Sequence, residues 1–581
     1  MFDADHMYLD YVGRDNFYGF LASQRGQLFR DEEFAKLYVL DNGRPSVPPS
    51  LLATALLLQT YDSVSDEEAR DRAAYDIRWK VALGVSVEEQ PYAKSTLQLF
   101  RSQLVLNDGL QAVFKKSLQF AKQSGYLKNR KMKVALDTSN ILGRGAVKDT
   151  YNLLADGIIK LGRQLAELGH TSTEAWAQER QLGRYFEGSS LKGEAGIDWE
   201  DAKQRQGLLA GIVADADRLL EMARGAIESY GEDSEEGQRV KEAADLLSQL
   251  LLQDVERTPA GVSIKDGVAK DRVISVHDPD MRHGRKSKSK LFDGHKLAVA
   301  VETDDGLITA ATVVAGNAPD KEEALALVEQ SEANTGVEVE ETIGDCAYGD
   351  GETRQEFADA RCDLVAKVPA QTNGRHFAKV DFQIDPVAKT CSCPAGHTCP
   401  APTKVGSHKG KRGKNGERRA AYRFQFEHEL CDACPLRSRC VRAKPGQGRT
   451  VSLHPQEGLL QKARAFQKSE AFALYRKRRQ VVEHRIARLM QLGMRQARYF
   501  GRAKTLGQLL LAAMVANLTL VATQIGLMGG QNKGNRASNL FYLQIQGPIT
   551  GFWEAILEAL AYCQDFTPVH PIPIAGFRPR F

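Results

Sequence analysis

Residues 133–157, KVALDTSNILGRGAVKDTYNLLADG, decide how the rest of the chain is read. The apolar run Val134-Ala135-Leu136 has the character of a short strand and delivers a carboxylate, Asp137, at its end. An acid at a sheet edge can hold a hard cation, but one acid cannot hold a catalytic Mg²⁺ alone. Two later segments offer partners. Val337 to Ile343 alternates like a strand and ends at Gly344-Asp345, and Ala473 to Met490 reads as a basic helix carrying Glu483.

These three acids divide the work by side-chain length. Asp is short and rigid and suits a strand end, whereas Glu can reach across from a helix. Phosphoryl transfer on two Mg²⁺ (or Mn²⁺) ions needs such a convergence, because one ion activates the attacking oxygen and the other stabilises the leaving oxygen. Asp137, Asp345 and Glu483 are therefore the candidate catalytic residues and candidate Mg²⁺ ligands.

The strand-and-helix order fits one sheet with interruptions. After Asp137, residues 150–258 read as helical, with AKQRQGLLAGIVADADRLLEMARGAIES and EAADLLSQLLLQDVER as two long helices packed as a hairpin. Then come HKLAVAVE (295–302), a turn, LITAATVVAG (307–316), a helix opened by Asn317-Ala318-Pro319-Asp320, the strand before Asp345, a short helix, and DLVAKVP (363–369). The expectation is a mixed α/β sheet. Its parts are a helical region at 1–128, whose short helices with scattered Arg and Lys suit a DNA-binding module of helix-turn-helix type and equally a plain helical bundle, core segments at 129–149, 259–369 and 456–530, insertions at 150–258 and 370–455, and a tail at 531–581.

Composition points to a globular protein of 581 residues with several domains. The net charge of +4 does not by itself announce a nucleic-acid partner. Basic clusters at 282–290, 408–419, 476–479 and 495–504 do favour a polyanion. The acidic start MFDADHMYLD lacks a signal's apolar core, and the apolar stretch 506–528 is broken by Gln508, Asn517, Thr519 and Gln524. A buried helix, no membrane and a cytoplasmic location are expected.

In a reducing compartment, the nine cysteines favour metal over disulfide. Cys391-Ser392-Cys393, Cys399, Cys431-Asp432-Ala433-Cys434 and Cys440 cluster in the second insertion. A CxC and a CxxC can supply four thiolates to a structural Zn²⁺. Cys393, Cys431, Cys434 and Cys440 are the first choice, with Cys391 and Cys399 as alternatives.

The chain resembles the DDE transposases of bacterial insertion sequences, and most the insertion sequence 1182 group. The carrying residues are LDTSNILGRGAVKDTYNLLADGI (136–158), FDGHKLAVAVE (292–302), GDCAYGD (344–350) and RRQVVEHRIARLMQLGMRQARYFG (478–501). PPSLLATALLLQTYDSVSDEEARDRAAYDIRWKVALG (48–84) resembles the N-terminal domain of related transposases, and the cysteine motifs resemble an insertion of that group. The resemblance implies an RNase H-like core with Asp137, Asp345 and Glu483 as its triad. It also implies binding of terminal inverted repeats and target DNA, 3′-end cleavage, strand transfer and a homodimer on DNA. In related enzymes the third acid sits in a Tyr-Arg-Glu-Lys signature. Tyr475, Arg479 and Glu483 match it with one extra residue between Tyr and Arg, and Met490 stands where Lys is expected.

Candidate DNA contacts are Arg144, Lys148, His295, Lys296, Tyr475, Arg479 and Arg485. Arg479, one helical turn before Glu483, should share its face. Arg144 and Lys148 read equally as neighbours of a helix cap, and His295-Lys296 as a strand edge. The alternative function is a catalytically silent or domesticated DNA-binding protein derived from such an enzyme.

Overall fold

The computed structural model describes residues 4–37, 47–259, 261–287, 289–407 and 420–528. The expected tail at 531–581 and the basic cluster at 408–419 lie outside the described residues.

The central sheet is mixed. Its strands are β1 (Lys131–Leu142), β2 (Arg282–Arg285), β3 (Leu291–Glu302), β4 (Ile308–Ala315), β5 (Glu338–Ile343) and β6 (Asp363–Val365). β3 lies antiparallel to β1 along one edge, and its other edge carries β4 and then β2. On the far side of β1, β5 and then β6 run parallel to it. β3 and β4 are joined by a tight turn, as the hairpin pattern predicts, and the parallel strands need the helical crossovers that the sequence supplies.

Alternation along the strands divides the core in two. Ala135, Leu297 and Val299 face helices, including Gly109–Gln123 and α6 (Arg502–Gln524). Val134, Leu136, Ala298 and Ala300 face α4 (Ala324–Thr335) and its neighbours. The helices of the first 128 residues share one hydrophobic cluster with the first face. α6 is long and apolar enough to cross a membrane, but it is mostly buried against protein. Its polar Asn517 exchanges hydrogen bonds with both the N–H and the carbonyl of Ile308, so the residue that interrupts the apolar run anchors β4.

Between β1 and β2 the chain builds a separate helical layer. Asp149 caps α1 (Thr150–Leu168) by accepting from the N–H groups of Tyr151 and Asn152. α1 packs on α2 (Ala202–Tyr230) and α3 (Glu235–Asp254) around Ile158, Leu161, Ile212, Leu219 and Leu247.

One expectation of local structure is overturned. β1 does not end at Asp137 but continues to Leu142, so the carboxylate lies mid-strand. Asp137 nevertheless sits at an open edge, because β5 pairs with β1 only as far as Ala135 opposite Ile343. Farther along, Leu142 pairs with the Arg495–Ala497 segment. Between these pairings that edge of β1 has no strand neighbour among the described residues. α5 (Ala471–Leu489) packs there through Val482 and Leu489, and Gly493, at φ +92°, ends the helical path and lets the chain return to Leu142.

Candidate active site

The open edge of β1 becomes a cleft of about 400 Å³. Asp137, Asp345 and Glu483 all line it. The parallel register explains the first two: Ala135 lies beside Ile343, so Asp137 and Asp345 come level two residues later. Asp345 leaves the strand as a cap, accepting from the Ala347 N–H at 2.7 Å. Glu483 reaches the cleft from α5 and is half exposed.

The cleft is electrostatically uneven. Arg479 donates to Asp137 Oδ2 at 3.2 Å and also to the Glu483 carboxylate. The Thr138 N–H donates to Asp137 Oδ1 at 2.8 Å. Burial still raises Asp137 to about 6, with Asp345 and Glu483 pushing in the same direction and Arg479 and the Thr138 N–H opposing. A fourth carboxylate, Asp320, lines the same cleft, accepting from Thr138 Oγ1 at 2.8 Å and from Lys296 Nζ at 2.9 Å. The sequence reading took Asp320 only as part of a helix opening. Its one signal was the turn Asn317-Ala318-Pro319-Asp320, which fits any helix start.

The seven candidate DNA contacts separate sharply. Lys296 and Arg479 line the cleft. Tyr475 hydrogen-bonds Glu341 of β5, which docks α5 on the sheet and raises the phenol to about 12. Arg144 donates to the Arg498 carbonyl at 2.8 Å, and Lys148 pairs with Asp156 of α1 at 3.8 Å; neither lines the cleft. His295 does not face DNA: it is fully buried, with Nε2 3.4 Å from an equally buried Asp278. Arg485 is half-buried, donating to the Ala516 carbonyl of α6, and burial of its guanidinium lowers it to about 10. Tyr348 packs in the core.

The cysteine cluster is also divided. Cys393, Cys431, Cys434 and Cys440 line one hollow of about 20 Å³ together with His397. That is room for roughly one water-sized body. Cys391 and Cys399 instead face each other across paired strands. Burial pushes the Cys391 thiol up to about 12 and also raises Cys440. Among the described residues, no three His, Cys, Asp or Glu side chains stand close enough to hold a metal ion as they are. At the carboxylates, Arg479 already bridges two of the three.

Residues 392–522 match a family model described as a transposase DDE domain, and residues 8–103 match one described as a transposase domain (DUF772). The chain therefore carries transposase domains. Together they support a DDE-type transposase, and the DDE match contains the Glu483 helix and the cysteines from Cys393 to Cys440. No curated protein and no solved structure matches the chain.

Proposed function

We propose that the chain is a transposase that binds the terminal inverted repeats of an insertion sequence and carries out Mg²⁺-dependent 3′-end cleavage and strand transfer. The observation that carries this reading is the meeting of Asp137, Asp345 and Glu483 in one cleft at an open sheet edge. The strand order β4-β3-β1-β5-β6, three antiparallel strands followed by two parallel ones, supports an RNase H-like core.

The oxygen donors suit a hard divalent cation, and Asp137, Asp345 and Glu483 would hold it. When bound, such ions (Mg²⁺ or Mn²⁺) supply activation of the attacking oxygen and stabilisation of the leaving one. The chain's own residues position the DNA. Arg479 and Lys296 present cations at the wall of the cleft, where a scissile phosphate would enter. Asp320, which also accepts from Thr138 Oγ1, holds Lys296 in place. No Ser or Tyr nucleophile is assigned, because in-line attack by water or a 3′-hydroxyl requires no covalent enzyme intermediate. Two ends must be synapsed, so the working form is a homodimer on DNA. Cys393, Cys431, Cys434 and Cys440 are the proposed structural zinc ligands.

The test is Mg²⁺-dependent cleavage of DNA bearing the native element ends, comparing wild type with Glu483→Gln. Cleavage by wild type alone supports the triad, and undiminished cleavage by the variant sinks it. Tight end binding without cleavage by either protein leaves a DNA-binding derivative as the function.

A further inference from the structure

The hairpin of β2 and β3 extends beyond the sheet beside the carboxylate cleft. The sequence there reads RKSKSK from Arg285 to Lys290, with no acid, and its described cations are Arg285, Lys286 and Lys290. Arg285 and Lys286 line the same cleft as Asp137, Asp345 and Glu483. We propose that this hairpin is a finger that grips the DNA backbone next to the scissile phosphate. The inference rests on the DNA-cleaving reading above and adds the surface that holds the strand.

Charge balance is the first support. The other cations of the cleft wall are neutralised, Lys296 by Asp320 and Arg479 by Asp137 and Glu483. Arg285, Lys286 and Lys290 are exposed and have no carboxylate partner among the described residues. Unpaired cations beside a carboxylate cluster attract a polyanion and carry it toward the acids.

Rigidity is the second. The hairpin is held by four residue pairs, Arg282 with Gly294 through Arg285 with Leu291. Across the tip, the Lys286 N–H donates to the Lys290 carbonyl at 2.9 Å, and the Lys290 N–H to Ser287 Oγ at 3.1 Å. At the base, the Gly143 N–H donates to the Asp293 carbonyl at 2.8 Å. Gly294, at φ +150°, lets the finger leave the sheet, and a Cβ there would meet the Ile141 carbonyl at 2.2 Å. Cations on an ordered hairpin lose less freedom on binding than cations on a loose loop. Leu291, opposite Arg285 and two-thirds exposed, gives the tip an apolar contact for a sugar or base.

The experiment uses the full chain and a fluorescent duplex carrying the terminal repeat that flanks the reading frame. Affinity is measured against salt for wild type and for the triple variant Arg285→Gln, Lys286→Gln, Lys290→Gln. The expected result is a loss of roughly tenfold or more at moderate salt, with a log–log salt slope smaller by about two to three, close to one unit per phosphate contact. Lys286→Cys, offered DNA with thiol-bearing phosphates, should crosslink only at the terminal few phosphates of the element end. An unchanged salt slope, or crosslinks spread evenly along the duplex, overturns the finger. A wild type that cleaves while the triple variant binds and cleaves equally well sinks the finger alone. A wild type that never cleaves, with finger-dependent binding intact, sinks the transposase reading and leaves the contact standing. A wild type that binds no DNA overturns both.

Discussion

Arg479 donates to Asp137 at 3.2 Å while its second terminal nitrogen holds Glu483, so one cation ties helix α5 to strand β1. The guanidinium stands between two like charges and meets the electrostatic demand that a divalent ion would meet. Binding a divalent ion at these carboxylates must therefore displace it. Arg479→Gln is expected to bind Mn²⁺ about tenfold more tightly, a gain of roughly 1.4 kcal/mol, because the competing cation is gone. The same variant should cleave DNA at least about tenfold more slowly, because a phosphate contact is lost. Calorimetric titration with Mn²⁺ checks the first effect separately from the second. Weaker Mn²⁺ binding by the variant would show that Arg479 orients the carboxylates instead.

Asp137 carries a stability cost that comes first from burial and then from its acidic neighbours. Burial raises it to about 6 from an ordinary 3.8, and Asp345 and Glu483 add to the rise. The folded form therefore binds the proton more tightly than the unfolded form, so stability from this group is full below about pH 4. It is lost as pH climbs through 6. At neutral pH the ionised Asp137 costs on the order of 3 kcal/mol. Asp137→Asn should thus raise the melting temperature of metal-free protein at pH 7.5, with the gain shrinking as pH falls toward 4. Melts in the presence of a chelator test this, and a variant that melts lower at pH 7.5 would refute it.

His295 and Lys296 are adjacent in sequence but opposite in role. Lys296 reaches the cleft, while His295 is sealed inside against Asp278 of the segment that precedes β2. His295→Ala should lower unfolding stability by about 2–4 kcal/mol, through a cavity and an unpaired buried carboxylate. Its DNA affinity and salt slope should match wild type once the folded fraction is equal. Urea denaturation followed by anisotropy separates the two, and a reduced salt slope would return His295 to the DNA surface.

Asp345 was readable because alternation from Val337 to Ile343 marks a strand and Gly344 marks its end. Asp137 was placed at the end of its strand and not within it, because the apolar run Val134-Ala135-Leu136 stops there and Thr138, Ser139 and Asn140 are polar. They form strand all the same, since β3 satisfies one edge of β1 and polar side chains are tolerated where the cleft opens. The face of a strand or helix that meets another element is a tertiary fact. His295 and Lys296 alternate correctly, but only the segment carrying Asp278, packed on one face, decides which one is buried. Arg485 has the spacing of a surface cation until α6 covers it. Asp320 was hidden because its partners are Thr138 and Lys296, brought near only by sheet pairing. The hairpin tip was visible as charge, but its place beside the carboxylates was not.

The cysteines offer a prediction that separates ligands from core. Cys393, Cys431, Cys434 and Cys440 face one small hollow, whereas Cys391 is fully buried against Cys399 among Phe382, Ile384 and Phe424. Four thiolates around one hollow suit tetrahedral zinc, and a small layer of short strands gains folding energy from such an ion. Elemental analysis of purified protein should find about one zinc per chain. Cys434→Ser should lose the metal and open the 370–455 segment to limited proteolysis. Cys391→Ala should keep the metal while lowering the melting temperature, because it removes a buried side chain and no ligand. Zinc retained by Cys434→Ser but lost from Cys391→Ala would move the site to the strand-paired cysteines. A wild type without zinc would leave all six thiols as packing groups.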